Sequence, residues 1–205
     1  MDLIFGAASR GDLAEVQRLV EEDRALVNVT NGPGGWTPLL YAASDGRVAV
    51  VAYLLDQGAV IGYQRHGKTA LRLACESGLL EVVRLLSDRG ADLTLTDEYG
   101  VTPFIMACMK GHLDVVLYLM RRDPECINRP DHSGFTAVMC ASWKGHTEVV
   151  RALLQAGADP TLLDEDGASA MDGAISYGYW DCVELLEVRI RLRCHESRGL
   201  ASTLR

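Results

Sequence analysis

Apolar positions along the chain fall into paired short blocks, and the pairs repeat. The first block of each pair is rich in small residues: Ala42 and Ala43, Ala74, Ala107, Ala141, Ala174. The second is aliphatic: Val50, Val51, Leu54, Leu55; Val82, Val83, Leu86; Val115, Val116, Leu119, Met120; Val149, Val150, Leu153, Leu154. Recurrence at i, i+3 and i+4 marks one face of a helix. A glycine closes each first block, at Gly46, Gly78, Gly111, Gly145 or Gly178. Gly58, Gly90 and Gly157 close second blocks. A hydroxyl opens the first blocks at Thr37, Thr69, Thr102, Thr136 and Ser169, in steps of 32 to 34 residues. Such an oxygen accepts from an otherwise unpaired N–H of a helix's first turn, and Pro38 and Pro103 then suit the first helical position. The pattern predicts short helices in pairs, separated by polar turns. A fixed period of this size means a stacked array rather than one closed core.

The segment 131–157 shows one unit in full. Asp131, Ser133 and Gly134 are turn chemistry, Thr136 opens the first helix, and the run from Val149 to Gly157 is the second. Equivalent turns begin at Asp97 and Asp164, and earlier units carry Gly35-Trp36-Thr37-Pro38 and Gly67-Lys68-Thr69-Ala70. These Thr-Pro-Leu, Gly-His, Glu-Val-Val, Leu-Leu and Gly-Ala-Asp landmarks resemble the ankyrin repeat. The resemblance implies an all-α solenoid of about six repeats, each a helix–turn–helix with a β-hairpin finger, L-shaped in profile with a concave groove. The units fall at about 1–30, 31–63, 64–96, 97–130, 131–163 and 164–187, so the repeat domain is 1–187. The first unit keeps Ala7, Ala8, Gly11, Val16, Leu19 and Val20, with Asp12, Glu15, Gln17 and Arg18 on an exposed side, as a terminal cap should. The glycine-rich finger at 31–35 is expected to be the more mobile one.

Two departures stand out. The family's histidine after Thr-Pro-Leu is absent, with Leu40, Arg72, Ile105, Met139 and Asp172 in its place. Packing must take over its polar link at Leu40, Ile105 and Met139. Gly-Ala-Asp is also missing after the first and fourth units, where 22–28 and 122–128 run instead and add to the turn. Some family members are hydroxylated on a finger asparagine, and Asn28 and Asn128 resemble that site loosely.

The remaining stretch, 188–205, is a basic tail with Arg189, Arg191, Arg193, Arg198 and Arg205 against the single acid Glu196. Val188, Ile190, Leu192 and Cys194 alternate with charge, a period that suits a strand better than a helix, with helical continuation as the alternative. The tail reads as a cap or flexible terminus, or as a basic docking segment, or as a connector to further domains.

Charge then narrows the partners. The 205 residues carry a net charge of −8 with a pI of about 5.1. That argues against a general nucleic-acid binder, whose affinity rests on neutralising phosphates. The six cysteines are Cys75, Cys108, Cys126, Cys140, Cys182 and Cys194, and they form no C-x-x-C. They read as buried free thiols of a reducing compartment rather than metal ligands. The first residues lack the basic and apolar regions of a signal peptide. No run approaches a membrane span. A cytoplasmic or nuclear protein without a membrane span is expected.

No catalytic constellation emerges: G-x-S-x-G, the phosphate-binding G-x-x-x-x-G-K-[ST] and H-E-x-x-H are all absent. His112 and His146 belong to the Gly-His landmark, while His66, His132 and His195 lie on fingers and tail. Asp164, Glu165 and Asp166 read as a solvated finger. The chain is read as a non-enzyme that needs no cofactor and no metal.

Function then falls to the surface. The family's usual contact positions lie on the fingers and at the ends of the first helices. Among them, Trp36, His66, Tyr99, Met109, Lys110, Phe135, Trp143, Lys144 and Tyr177 are the candidate partner-binding residues. Aromatics, methionine and cations together have the composition of interface cores. The alternative for Phe135 and Trp143 is that they pack across adjacent fingers. The expected role is a monomeric, non-catalytic interaction module for a partner protein or peptide. A regulatory chaperone or inhibitor of one client, or the recognition domain of a larger protein, are the alternatives.

Overall fold

The computed structural model describes the backbone of residues 2–32 and 35–203 and the side chains of residues 3–32 and 35–193. Pro33 and Gly34 of the glycine-rich finger, the side chains of Cys194, His195, Glu196 and Arg198, and all of Arg205 lie outside the described residues. The helices come in six pairs among the described residues. They are α1 (Asp2–Arg10) and α2 (Leu13–Glu22), α3 (Pro38–Ser44) and α4 (Val48–Asp56), α5 (Ala70–Glu76) and α6 (Leu80–Asp88). Then follow α7 (Pro103–Lys110) and α8 (Leu113–Arg122), α9 (Ala137–Trp143) and α10 (Thr147–Gln155), α11 (Ala170–Ser176) and α12 (Trp180–Thr203). The fold is all-α and repetitive, as the period predicts.

The chain forms two compact units, Met1–Glu98 and Tyr99–Arg205. Within the first, α1 packs on α3 and α3 on α5, while α2 packs on α4 and α4 on α6. Within the second, α7, α9 and α11 pack in sequence, and so do α8, α10 and α12. First helices therefore meet first helices, and second helices meet second helices. Ile4, Leu39, Leu54, Leu71 and Leu86 fill the first unit, and Ile105, Leu119, Met139, Leu153 and Leu186 the second, all buried. No helical pair could bury its own apolar faces, so stability comes from stacking.

The caps are those the hydroxyls predict. The Oγ1 atoms of Thr37, Thr69 and Thr102 accept from the N–H three residues on, at 3.4, 3.1 and 3.2 Å. Ser169 does the same for Asp172 at 3.3 Å. Thr136 differs: its hydroxyl is buried without a partner among the described residues, and its N–H points to the Met139 sulfur at 3.4 Å. Gly111 and Gly145 end their first helices at φ 78° and 71°, the left-handed turn that glycine enters at least cost.

The fingers are turns rather than ladders. Among the described residues, a single isolated antiparallel bridge joins Arg65 and Lys68. The fingers of the fifth and sixth pairs are pinned by their opening aspartates. Asp131 Oδ1 accepts from Ser133 and Phe135 N–H at 2.9 Å, and Asp164 Oδ1 accepts from Asp166 at 3.0 Å and Ala168 at 2.8 Å. After the first and fourth units, the chain makes short 3₁₀ turns at Arg24–Asn28 and Pro124–Asn128. Asn28 and Asn128 end these turns and clamp the next one. Asn28 binds Gly58 carbonyl and Val60 N–H, and Asn128 binds Gly157 carbonyl and Asp159 N–H.

At the position of the missing histidine, Leu40, Ile105 and Met139 are buried apolar residues. Arg72 is buried there too, and it reaches Asp97 Oδ2 at 2.8 Å. An ion pair thus restores a polar link in that unit. Asp172 is turned outward, accepting from Ser169 N–H and hydroxyl.

The strand-like reading of the tail is corrected: α12 runs unbroken to Thr203. In earlier units Gly58, Gly90 or Gly157 stands seven residues beyond the second valine of the helix, whereas here Ile190 takes that place. Without the left-handed turn the helix continues, since adding a residue to an existing helix is easier than starting one. The alternating charges fit a helix as well, with Arg191 reaching Glu187 one turn back at 3.1 Å.

Candidate protein-interaction surface

In Tyr99–Arg205, the finger that Asp131 pins places Phe135 just before the cap of α9. Phe135 packs with Met109 on a buried cluster of Val101, Ile105, Met106 and Cys140. The Trp143 ring at the end of α9 meets Phe135 edge-on at 4.8 Å and Tyr177 at 6.3 Å, and Tyr177 stacks on Tyr179 at 6.3 Å. Met109, Phe135, Trp143 and Tyr177 are thus brought together across three successive pairs.

Their exposure differs. Tyr177 is 62% exposed and Tyr99 67% exposed, while Met109, Phe135 and Trp143 are half-buried. Lys110 and Lys144 are exposed at the ends of α7 and α9. Trp143 is held by Gly173: a Cβ there would stand 1.6 Å from its ring. Its Nε1 is buried with no partner among the described residues. Gly173 was not singled out from the sequence, although a glycine inside a helix usually has a packing reason.

In Met1–Glu98, Trp36 is half-buried and its ring lies 5.2 Å from Tyr41. The backbone N–H of Trp36 donates to Asn31 Oδ1 at 2.7 Å. His66 is exposed and takes φ 48°, the one non-glycine residue with positive φ among those described. These two residues are not part of the aromatic row of the other unit.

His146 is explained by packing. Its ring covers Gly111 and its Nε2 lies 3.0 Å from the Met109 carbonyl. The described cysteines are all free and buried. Burial pushes the Cys126 and Cys140 thiols up to about 12 and raises Cys75 and Cys182 as well. They are therefore poor nucleophiles and poor ligands near neutrality. Among the described residues no three His, Cys, Asp or Glu side chains converge as a metal site, and no helix is long and apolar enough to cross a membrane.

The geometry defines a repeat protein of stacked helical pairs whose distinctive chemistry lies on its surface. Comparison with known proteins agrees. The ankyrin repeat profile of three copies matches residues 4–97 and 89–164, and that of many copies matches 144–187. The chain belongs to the ankyrin repeat family. It is 36% identical over 115 residues to the ankyrin repeat, SAM and basic leucine zipper domain-containing protein 1 of Saimiri boliviensis boliviensis, covering 54% of this chain and 24% of that protein. It is 29% identical over 182 residues to the ankyrin repeat protein nuc-2 of Neurospora crassa, covering 88% of this chain and 17% of that one. It is 36% identical over 116 residues to the ankyrin repeat and SAM domain-containing protein 6 of Rattus norvegicus, covering 56% and 13%. The chain thus spans a quarter or less of the length of these relatives. Ankyrin repeats are generally protein–protein interaction modules and generally non-enzymatic.

Proposed function

We propose that the chain is a non-catalytic interaction module that holds a partner protein or peptide along its finger tips and first-helix ends. The supporting observation is the row Phe135, Trp143 and Tyr177, in ring contact, with Met109 beside it and Lys144 exposed at its edge. Stacking requires only the packed faces to be apolar, so large aromatics left open call for a ligand. Tyr99 and Tyr177 serve as exposed anchors, Met109, Phe135 and Trp143 as their rigid floor, and Lys110 and Lys144 meet a carboxylate of the partner. Trp36 and His66 hold the corresponding positions in Met1–Glu98. The module acts as a monomer in the cytoplasm or nucleus, without nucleic acid.

The names of two of the relatives join ankyrin repeats to other domains, and the chain matches only part of each. This favours recognition within a larger protein over a stand-alone inhibitor. The test is a partner recovered by crosslinking from native extract, then titrated against Tyr99→Ala/Tyr177→Ala and Lys144→Glu. Affinity should fall about tenfold or more, the loss expected for central anchors. Unchanged affinity in variants that keep the helical circular-dichroism signal would refute the placement.

A further inference from the structure

The finger at 64–68 is built differently from those that follow it and carries the opposite charge. Asp97, Asp131 and Asp164 open the next three fingers, and Gln64 stands in that place here. Without the aspartate the chain closes a two-residue hairpin instead. Arg65 N–H donates to the Lys68 carbonyl at 3.1 Å, and Lys68 N–H to the Arg65 carbonyl at 2.9 Å. His66 and Gly67 form the turn at φ 48° and 70°, and a type I′ turn requires both values to be positive. Position for position, Arg65, His66 and Lys68 replace Glu98, Tyr99 and Val101 of one later finger and Glu165, Asp166 and Ala168 of another. Two full cations and an imidazole thus stand within four residues of a chain whose net charge is −8.

Within Met1–Glu98 this finger is gripped from both sides. At its base the Tyr63 hydroxyl donates to the Gly35 carbonyl of the preceding finger at 2.7 Å. At its tip Gly67 lies so close to Asp97 that a Cβ would stand 2.3 Å from the aspartate Cα. The cations are therefore carried on a fixed support, which lowers the ordering cost of binding. The chain does not neutralise them. Asp97 turns its carboxylate to Arg72 at 2.8 Å. No described residue makes a side-chain hydrogen bond or ion pair with Arg65, His66 or Lys68. His66 is exposed, and Arg65 and Lys68 are half-buried.

An apolar position belongs to the same surface. Trp36 and Lys68 hold one register in adjacent fingers, each directly before a cap hydroxyl, Thr37 or Thr69. The helices they lead into, α3 and α5, pack on one another. The Trp36 ring rests on Tyr41 and stays half-buried, so part of it is open to a ligand.

We infer that the hairpin docks a short acidic segment of another polypeptide, one with clustered Asp or Glu side chains flanked by an apolar residue. Carboxylates of the segment meet Arg65 and Lys68, the His66 ring supplies an N–H donor, and the apolar residue lies on Trp36. At physiological salt a charge acts over about 8 Å, so the tip attracts a short anionic stretch locally. A long polyanion such as nucleic acid would also meet the surrounding negative charge, which opposes it. The inference rests on the fingers as contact positions and is independent of the aromatic row in Tyr99–Arg205.

The test uses the full chain and two fluorescent peptides that share one leucine and differ in their charged positions, Glu in one and Lys in the other. By anisotropy the acidic peptide should bind about tenfold more tightly, the product of two exposed ion pairs. Raising salt from about 0.1 to about 1 M, which shortens the Debye length from about 10 to about 3 Å, should remove most of that margin. Arg65→Gln/Lys68→Gln, which keeps the His66-Gly67 turn, should abolish the preference, and Arg65→Glu/Lys68→Glu should reverse it. Trp36→Ala should weaken the acidic peptide, while Arg84→Glu, a charge reversal on a second helix, should leave it unchanged. Equal affinity for both peptides, or equal loss in Arg84→Glu and the finger variants, would overturn the inference. So would a single-stranded oligonucleotide that displaces the acidic peptide and loses its own binding in Arg65→Gln/Lys68→Gln, since the occupant would then be nucleic acid. Tyr99→Ala/Tyr177→Ala reads the aromatic row and Arg65→Gln/Lys68→Gln reads this finger, so failure of one is told apart from failure of the other.

Discussion

Arg72 stands where Leu40, Ile105 and Met139 are buried in other pairs, and its guanidinium meets the Asp97 carboxylate at 2.8 Å. Removing one member of a buried pair leaves the other charge without compensation. Arg72→Leu should therefore cost about 3–5 kcal/mol in chemical denaturation, although leucine is the residue of the second pair. Arg72→Leu/Asp97→Asn should recover most of that loss, because asparagine keeps an acceptor and removes the charge. If the double variant is no more stable than the single, the pair is not what holds Arg72 inside. The thiols permit a second expectation. With Cys126 and Cys140 pushed up to about 12, iodoacetamide at pH 8 should label them in the unfolded chain and spare them in the native one. Peptide-resolved mass spectrometry reads the difference.

At the scale of elements, α11 depends on a titratable cap. Ser169 hydroxyl and N–H donate to Asp172, and these bonds hold its carboxyl below the usual aspartate value. A folded-state value below the unfolded one adds stability above about pH 3.9, the unfolded aspartate value, and loses it as pH falls through the lower folded value. Acid titration of the wild type should show that loss, and Asp172→Asn should flatten this part of the curve. An identical acid limb in both would contradict the cap's role. Most elements were legible in the sequence because hydroxyl, glycine and aliphatic spacing each report a local requirement. The course of α12 was not, since Val188, Ile190, Leu192 and Cys194 alternate as a strand would. Its helicity is inherited from the turns before it rather than encoded in that stretch. Phe135, Trp143 and Tyr177 were legible as neighbours, whereas Tyr179, which stacks on Tyr177, was not singled out. The seating of Trp143 on Gly173 was not legible either, because the two residues are 30 apart and nothing local links them.

For the whole molecule, charge and exposure are unevenly shared. The net charge is −8, and residues 164–187 alone carry seven acids without a base. Of the large apolar side chains left exposed among the described residues, most lie beyond Ala158, including Leu163, Ile175, Tyr177, Trp180 and Val188. The second helices α6 and α10, by contrast, show charge to solvent, with surface pairs such as Arg84–Glu81 and Arg151–Glu148. Pairs of this kind add little stability and keep a face soluble. The proposed recognition surface lies on fingers and first helices, and its most direct measurement is photocrosslinking in native extract. A photoreactive phenylalanine analogue would replace Tyr99, Tyr177, Arg84 or Glu148, one at a time. The account predicts that the same partner protein is captured from positions 99 and 177 and not from 84 or 148. Capture from 84 or 148 with none from 99 and 177 would contradict it.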